Sequence, residues 1–137
     1  MGGRRRPGPA REDRLTPAGI LRKYKTVAVV GISADPGRAS YRVAKYLQEH
    51  GYRIIPVNPK LKEVLGEQCY PDLCAVPEPV EIVDIFRRAE DVPRVVAGAI
   101  YAKTKAVWMQ EGIVHEAAAR RAREAGMEVV MDRCMKV

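Results

Sequence analysis

Four short stretches carry the side chains that could do chemistry. They are Gly31-Ile32-Ser33 with Arg38, Ser40 and Tyr41 soon after, Asn58-Pro59-Lys60, Phe86-Arg87-Arg88, and Trp108-Met109-Gln110-Glu111-Gly112. A glycine, hydroxyls and cations make a set for holding an anion. Gly31 lets the chain turn sharply and lets a ligand approach the backbone. The helix entered near Ser40 begins with free N–H groups, and its dipole adds a partial positive charge, so phosphate is the natural guest. The usual dinucleotide pattern G-x-G-x-x-G is missing: Ile32 and Ser33 follow Gly31, and the next glycine is Gly37. No serine–histidine–acid or cysteine–histidine set accompanies these stretches. His50 sits at a helix C-terminal end and His115 in the first turn of another helix, both structural positions. No catalytic residue is assigned.

The elements that must position these stretches alternate. Thr16-Pro17 starts a short helix, cap then first position, with Ile20, Leu21 and Tyr24 on its apolar face. Val27 to Val30 is a continuous apolar run, as in a parallel strand covered on both faces. A helix from about Ser40 to His50 buries Val43, Ala44 and Leu47 and stops at Gly51. Tyr52–Val57 is the second strand, although Pro56 would be awkward in a central position. Lys60–Gly66 reads as a loop, Glu67–Tyr70 as a short edge strand, and Pro71–Pro79 as a turn with one helical turn near Leu73 and Val76. Glu81–Phe86 is a strand interrupted only by Asp84. Asp91 then caps a helix with its stripe at Val92, Val95, Val96, Ala99 and Ile100. Ala106–Met109 is a strand, Val114 to Ala125 a helix, and Met127–Met131 the last strand.

Strands alternating with helices predict an α/β fold: a Rossmann-like, doubly wound parallel sheet in a three-layer α/β/α single domain. The expected strand order is 3-2-1-4-5-6, with the switch point between strands one and four. Ligands of such sheets lie beyond the carboxyl ends of the strands, where all four stretches fall. The end of strand two selects among ligands. An NAD site wants an acid there for the ribose, whereas Asn58 and Lys60 stand here and suit a phosphorylated ribose, as in NADP or coenzyme A.

The blocks VGISADPGRASYRVAKYL, GYRIIPVNPK, VDIFRR, VWMQEGI and VMDRCMKV resemble the small stand-alone coenzyme A-binding proteins. Their fold is similar to the N-terminal domain of the succinyl-CoA synthetase α-subunit. The resemblance covers residues 15–137. It implies that the phosphates and ribose of coenzyme A meet Gly31, Ile32, Ser33, Arg38 and Ser40, and that Lys60 meets a phosphate. It also implies that Phe86-Arg87-Arg88 and Gln110-Glu111-Gly112 line the rest of the groove. The ligase's phosphorylated histidine lies in a later domain, so ligase activity is not expected here. A non-catalytic protein binding coenzyme A or an acyl-CoA is the expectation, as a monomer or homodimer. A mixed disulfide between Cys134 and the coenzyme thiol is a further expectation.

Bulk properties bound the alternatives. The chain has 137 residues, enough for one full core. Net charge is +7; residues 1–14 hold five Arg against Glu12 and Asp13, or +3, leaving +4 for the remainder. That basic stretch reads as a disordered tail. A nucleic-acid module would use it, but basic and aromatic residues do not interleave, which argues against nucleic acid. An NADP-dependent reductase is the enzymatic rival, weakened by the missing second glycine and the lack of room for a substrate domain. No apolar run reaches the ~20 residues that span a bilayer, and no apolar signal core follows the basic start, so a cytoplasmic protein is expected. Cys69, Cys74 and Cys134 read as reduced, buried thiols, without the spacing of a metal site. One Asn and three Gln among many Arg and Glu lean toward a heat-adapted source.

Overall fold

The computed structural model describes residues 15–135. The element order is α1 (Pro17–Lys23), β1 (Thr26–Val30), α2 (Ala39–Glu49), β2 (Arg53–Val57), β3 (Glu63–Val64), β4 (Glu67–Gln68), a 3₁₀ turn (Leu73–Ala75), β5 (Ile82–Ile85), α3 (Val92–Tyr101), β6 (Ala106–Met109), α4 (Glu116–Glu124) and β7 (Glu128–Val130). Five strands form one parallel sheet in the order β2-β1-β5-β6-β7. This is the Rossmann-like α/β single domain that the alternation predicts.

Both sheet faces are covered, which explains the unbroken apolar runs. Ala28 and Val30, Val83 and Ile85, Val107 and Met109 pack with Val92, Val96 and Ala99 of α3 and Ala118, Ala119 and Ala122 of α4. The alternate residues Val27, Val29, Ile82, Ala106 and Trp108 pack with Ile20 of α1 and Val43, Ala44 and Leu47 of α2. Local chemistry sets the helix ends. Thr16 accepts from Gly19 N at 3.0 Å and Pro17 occupies the first turn. His115 caps α4, its Nδ1 accepting from Ala118 N at 3.1 Å. His50 closes α2, its Nδ1 2.7 Å from Tyr46 O and its ring stacked on Tyr46.

Several expectations need correction. There is no full third strand beside β2. Leu65 and Gly66 take φ of +54° and +77°, the two left-handed residues of a tight hairpin turn, so β3 and β4 pair antiparallel as a separate hairpin. Among the described residues only Tyr70 bridges to the outer side of β2. Pro56 is tolerated because its carbonyl faces outward, accepting from Tyr70 N at 3.0 Å, so its missing N–H leaves no gap toward β1. Asp91 makes no side-chain cap bond; its carboxylate lies 3.5 Å from Arg87 instead. Helix α4 begins at Glu116, later than expected. Of the three free thiols only Cys69 is buried, which pushes its pKa up; Cys134 is half-buried and Cys74 exposed. The basic stretch 1–14 lies outside the described residues.

Candidate functional site

A parallel sheet gathers its strand ends on one edge, and the predicted residues meet there with different fates. Gly31 takes φ +89°, a region open to glycine. A Cβ on it would sit 2.8 Å from Arg87 Cδ and 3.0 Å from the Phe86 carbonyl carbon. The close approach that demands glycine is therefore that of the β5 end. Ile32 is fully buried, so only its backbone reaches the edge. Ser33 N donates to Ser40 Oγ at 2.9 Å, and Ser33 Oγ accepts from Asp35 N at 3.0 Å. Asp35 in turn accepts from Gly37 N at 2.9 Å, giving the loop its own internal bonds. Arg38 stands at the α2 cap without a side-chain bond to the first turn, leaving the leading amides of that helix for an anion or water. Tyr41 is half-buried against the α2-side core.

Asn58 serves as a staple. Its amide donates to Ile32 O at 2.8 Å, tying the ends of β1 and β2, while its Oδ1 accepts from Lys60 N at 2.8 Å. That turn lifts Pro59 and Lys60 into solvent, and the Lys60 ammonium has no ion-pair partner among the described residues. Phe86 is half-buried over the α2-side core. Arg87 turns to the other face, and Arg88 is exposed, 3.6 Å from Glu90.

Beside these residues lies an open cavity of about 390 Å³. Its walls are apolar (Val30, Val57, Pro59, Leu73, Val95, Gly98), and Arg87, Asp91, Arg94 and Cys74 add polar groups. Sequence reasoning missed Pro71, Asp72, Leu73, Cys74, Asp91, Arg94, Val95 and Gly98 as site residues. Part of the signal was present, since the turn around Leu73 and the stripe through Val95 were both legible. Their meeting was not: Leu73 packs over Gly98, whose added Cβ would stand 3.7 Å from Leu73 Cδ1.

The β6 end departs furthest from expectation. Trp108 is 1% exposed, and its indole N–H donates to Arg133 O at 2.8 Å, so it is core and only the floor of a second cavity of about 290 Å³. Glu111 and Cys134 also line that cavity. Gln110 is 3% exposed and turns inward, donating from Nε2 to Asp84 Oδ1. Glu111 and Gly112 remain exposed, with Gly112 N held by Asp132 Oδ1 at 2.6 Å. Asp84, read from sequence only as an interruption, is fully buried; burial pushes its carboxyl up to about 8, and the Gln110 bond opposes this in part. Among the described residues no three His, Cys, Asp or Glu side chains are grouped as metal ligands. None of the described helices is long and apolar enough to cross a membrane.

The sequence profile of the CoA binding domain matches residues 25–137, the whole of the sheet and its carboxyl edge. The chain belongs to the CoA-binding domain family. Two kinds of protein are among its relatives. The uncharacterized protein YneT of Bacillus subtilis (strain 168) is 42% identical over 118 residues, 86% of this chain and 87% of YneT. The acetate–CoA ligase (ADP-forming) I of Archaeoglobus fulgidus is 38% identical over 72 residues, 53% of this chain but 10% of the ligase. Among solved structures, a hypothetical protein from Pyrococcus horikoshii OT3 superposes with a TM-score of 0.85 at 40% identity, over 99% of this chain and 94% of that one. Members of this family thus occur both as small chains and as a minor part of large ligases.

Proposed function

We propose that the protein binds coenzyme A or an acyl-CoA and has no catalytic machinery of its own, acting as a carrier, a sensor or a subunit that presents the thioester elsewhere. One observation carries the reading: in a member of the CoA-binding family, the apolar cavity of about 390 Å³ opens at the carboxyl ends of β1 and β2, and its Pro59 wall is followed in the chain by Lys60, a cation with no ion pair among the described residues. The cavity is of a size for an adenine ring, since ligand pockets run to roughly 300–1,000 Å³. Lys60 stands at its Pro59 rim for the 3′-phosphate, and the leading amides of α2 with Ser33 and Arg38 serve the pyrophosphate. Arg87, already close to Asp91, offers its remaining donors to the same phosphates. The pantetheine arm would then run past Glu111 and Gly112, toward the cavity that Cys134 lines. Both histidines of the chain cap or close helices, which leaves the edge without an imidazole for acid–base work.

The test is calorimetric titration of purified, nucleotide-stripped protein with coenzyme A, NADP and NAD at one salt concentration. Micromolar binding of coenzyme A alone is expected. Tighter NADP binding would replace this reading with a reductase-type site, and no binding to any of the three would remove the nucleotide from the edge altogether. Reduced-cofactor fluorescence provides an independent check on NADP.

A further inference from the structure

Asp84 is the acid that the proposed binding leaves unused. It lies in β5, paired in register with Val29 on one side and Trp108 on the other. It shares the α2 face of the sheet with Ile82 before it and Phe86 after it. That half of the core is apolar. The titratable groups around it are Tyr24, Tyr41, Tyr46, Tyr52 and Cys134, and at its rim Lys23 lies over the Tyr24 ring, Lys25 over the Tyr52 ring and His50 against Tyr46. Among the described residues no cation forms an ion pair with the Asp84 carboxyl, and burial is the main cause of its upward shift. Among the described residues its one side-chain hydrogen bond comes from Gln110, and Oδ2 has no partner. A carboxyl so placed keeps its proton well above the usual carboxylate range, because an unmatched hydroxyl costs far less than an unmatched buried charge.

Gln110 is also the first residue of the turn that closes β6. Its N–H lies 3.4 Å from Ile85 O, a long bond, and its carbonyl accepts from Ile113 N at 2.9 Å. The side-chain bond to Asp84 is thus the inner anchor of the turn, and Gly112 N on Asp132 is the outer one.

We infer that Asp84 and Gln110 form a proton-loaded latch: with the carboxyl neutral, Gln110 stays turned inward and holds the Gln110–Gly112 turn down on the sheet edge, and loss of the proton frees the turn. On ionisation the Asp84 O–H bond breaks and the proton passes to bulk buffer. The carboxylate left behind has one donor where an ionised acid needs two or more. It gains them by admitting water at the strand end, which is the position Gln110 covers. The latch is independent of what the edge binds, so its test uses no ligand.

The experiment is an NMR titration of the full chain from pH 5 to pH 10, following the Asp84 carboxyl carbon, the Gln110 side-chain amide and the Gly112 and Ile113 amides. All four are expected to move together with one midpoint near 8. In Asp84→Asn, the Gln110 and Gly112 signals should stay flat across the same range. A carboxyl that ionises near pH 4, one that keeps its proton to pH 10, or a turn that stays still while Asp84 titrates would each overturn the latch. The wild-type titration decides the matter even if the variant does not fold. Failure of the coenzyme A titration would leave the latch untouched.

Discussion

At the amino end of the sheet, Arg53 is held between Glu78 at 2.6 Å and Glu67 at 2.7 Å. Glu81 there accepts from the N–H groups of Lys25 and Thr26, at 2.8 and 3.1 Å, and Glu128 accepts from Leu15 N at 3.2 Å. At the carboxyl end Lys60 has no ion pair among the described residues, Arg88 has one long exposed contact, and the first turn of α2 lacks a side-chain cap. The acids and the arginine named at the amino end are thus bonded to the chain itself, whereas at the carboxyl end Lys60 and the first turn of α2 stay open beside the bonded Ser33, Asn58 and Arg87. The difference separates charges that hold the fold from charges free to hold something else. It also shows why the net positive charge alone could not locate a site.

The strongest way to break this contrast is Gly31→Ala. The new Cβ would crowd the Phe86 backbone at a φ of +89°, so the variant should lose about 2–4 kcal/mol of stability in urea unfolding and lose ligand binding with it. Wild-type stability would show that Gly31 is not a structural hinge of the edge. Next comes pH. Asp84 holds its proton in the folded chain up to about 8, whereas an unfolded aspartate releases it near 4. Between those values the folded state binds more protons, so stability should fall as pH rises, by up to about 1.4 kcal/mol per pH unit, and level off above. Urea midpoints collected from pH 5 to pH 9 should show that slope, and Asp84→Asn should remove it.

A smaller effect sharpens the comparison. Lys60→Ala should weaken coenzyme A by roughly 1–3 kcal/mol, as loss of a charge-assisted contact does, and dephospho-coenzyme A much less. Equal losses for both ligands would take Lys60 off the 3′-phosphate. The smallest effect belongs at the other end. Arg53 is about half-exposed, so Arg53→Ala should cost no more than about 1 kcal/mol of stability and leave coenzyme A affinity unchanged. Arg53 also holds the Glu78 carboxyl below its ordinary range, so that small contribution is present at neutral pH and lost as pH falls into the acid range. An Arg53 variant with weakened coenzyme A binding would blur the distinction between the two ends.

What could be seen in the sequence was whatever neighbours in the chain decide. Thr16-Pro17 and the Val27–Val30 run depend on residues within a turn of each other and appear as expected, whereas Gly31 turns the chain as expected but is required to be glycine by the distant Phe86 and Arg87. Trp108 and Gln110 did not appear as expected, because the direction of a side chain at a strand end depends on what waits below it. Trp108 finds the Arg133 carbonyl, 25 residues away, and Gln110 finds Asp84, 26 residues away. The cavity wall was hidden for the same reason, since it forms where the Leu73 turn docks on α3. Asp84 did leave a trace. An acid inside a strand covered on both faces must be buried, whichever way it points.

Pro56 has a consequence for how the molecule meets its own copies. A sheet rim is a template on which another strand can assemble, and β2 forms one rim of this sheet. On its outer side Pro56 offers no donor, and its carbonyl is already taken by Tyr70, so an incoming strand would find a break in the row at the middle of β2. The opposite rim, β7, is only three residues long. A five-stranded parallel sheet of mostly aliphatic residues is thereby kept from growing sideways into an aggregate, at the rim that also borders the cavity.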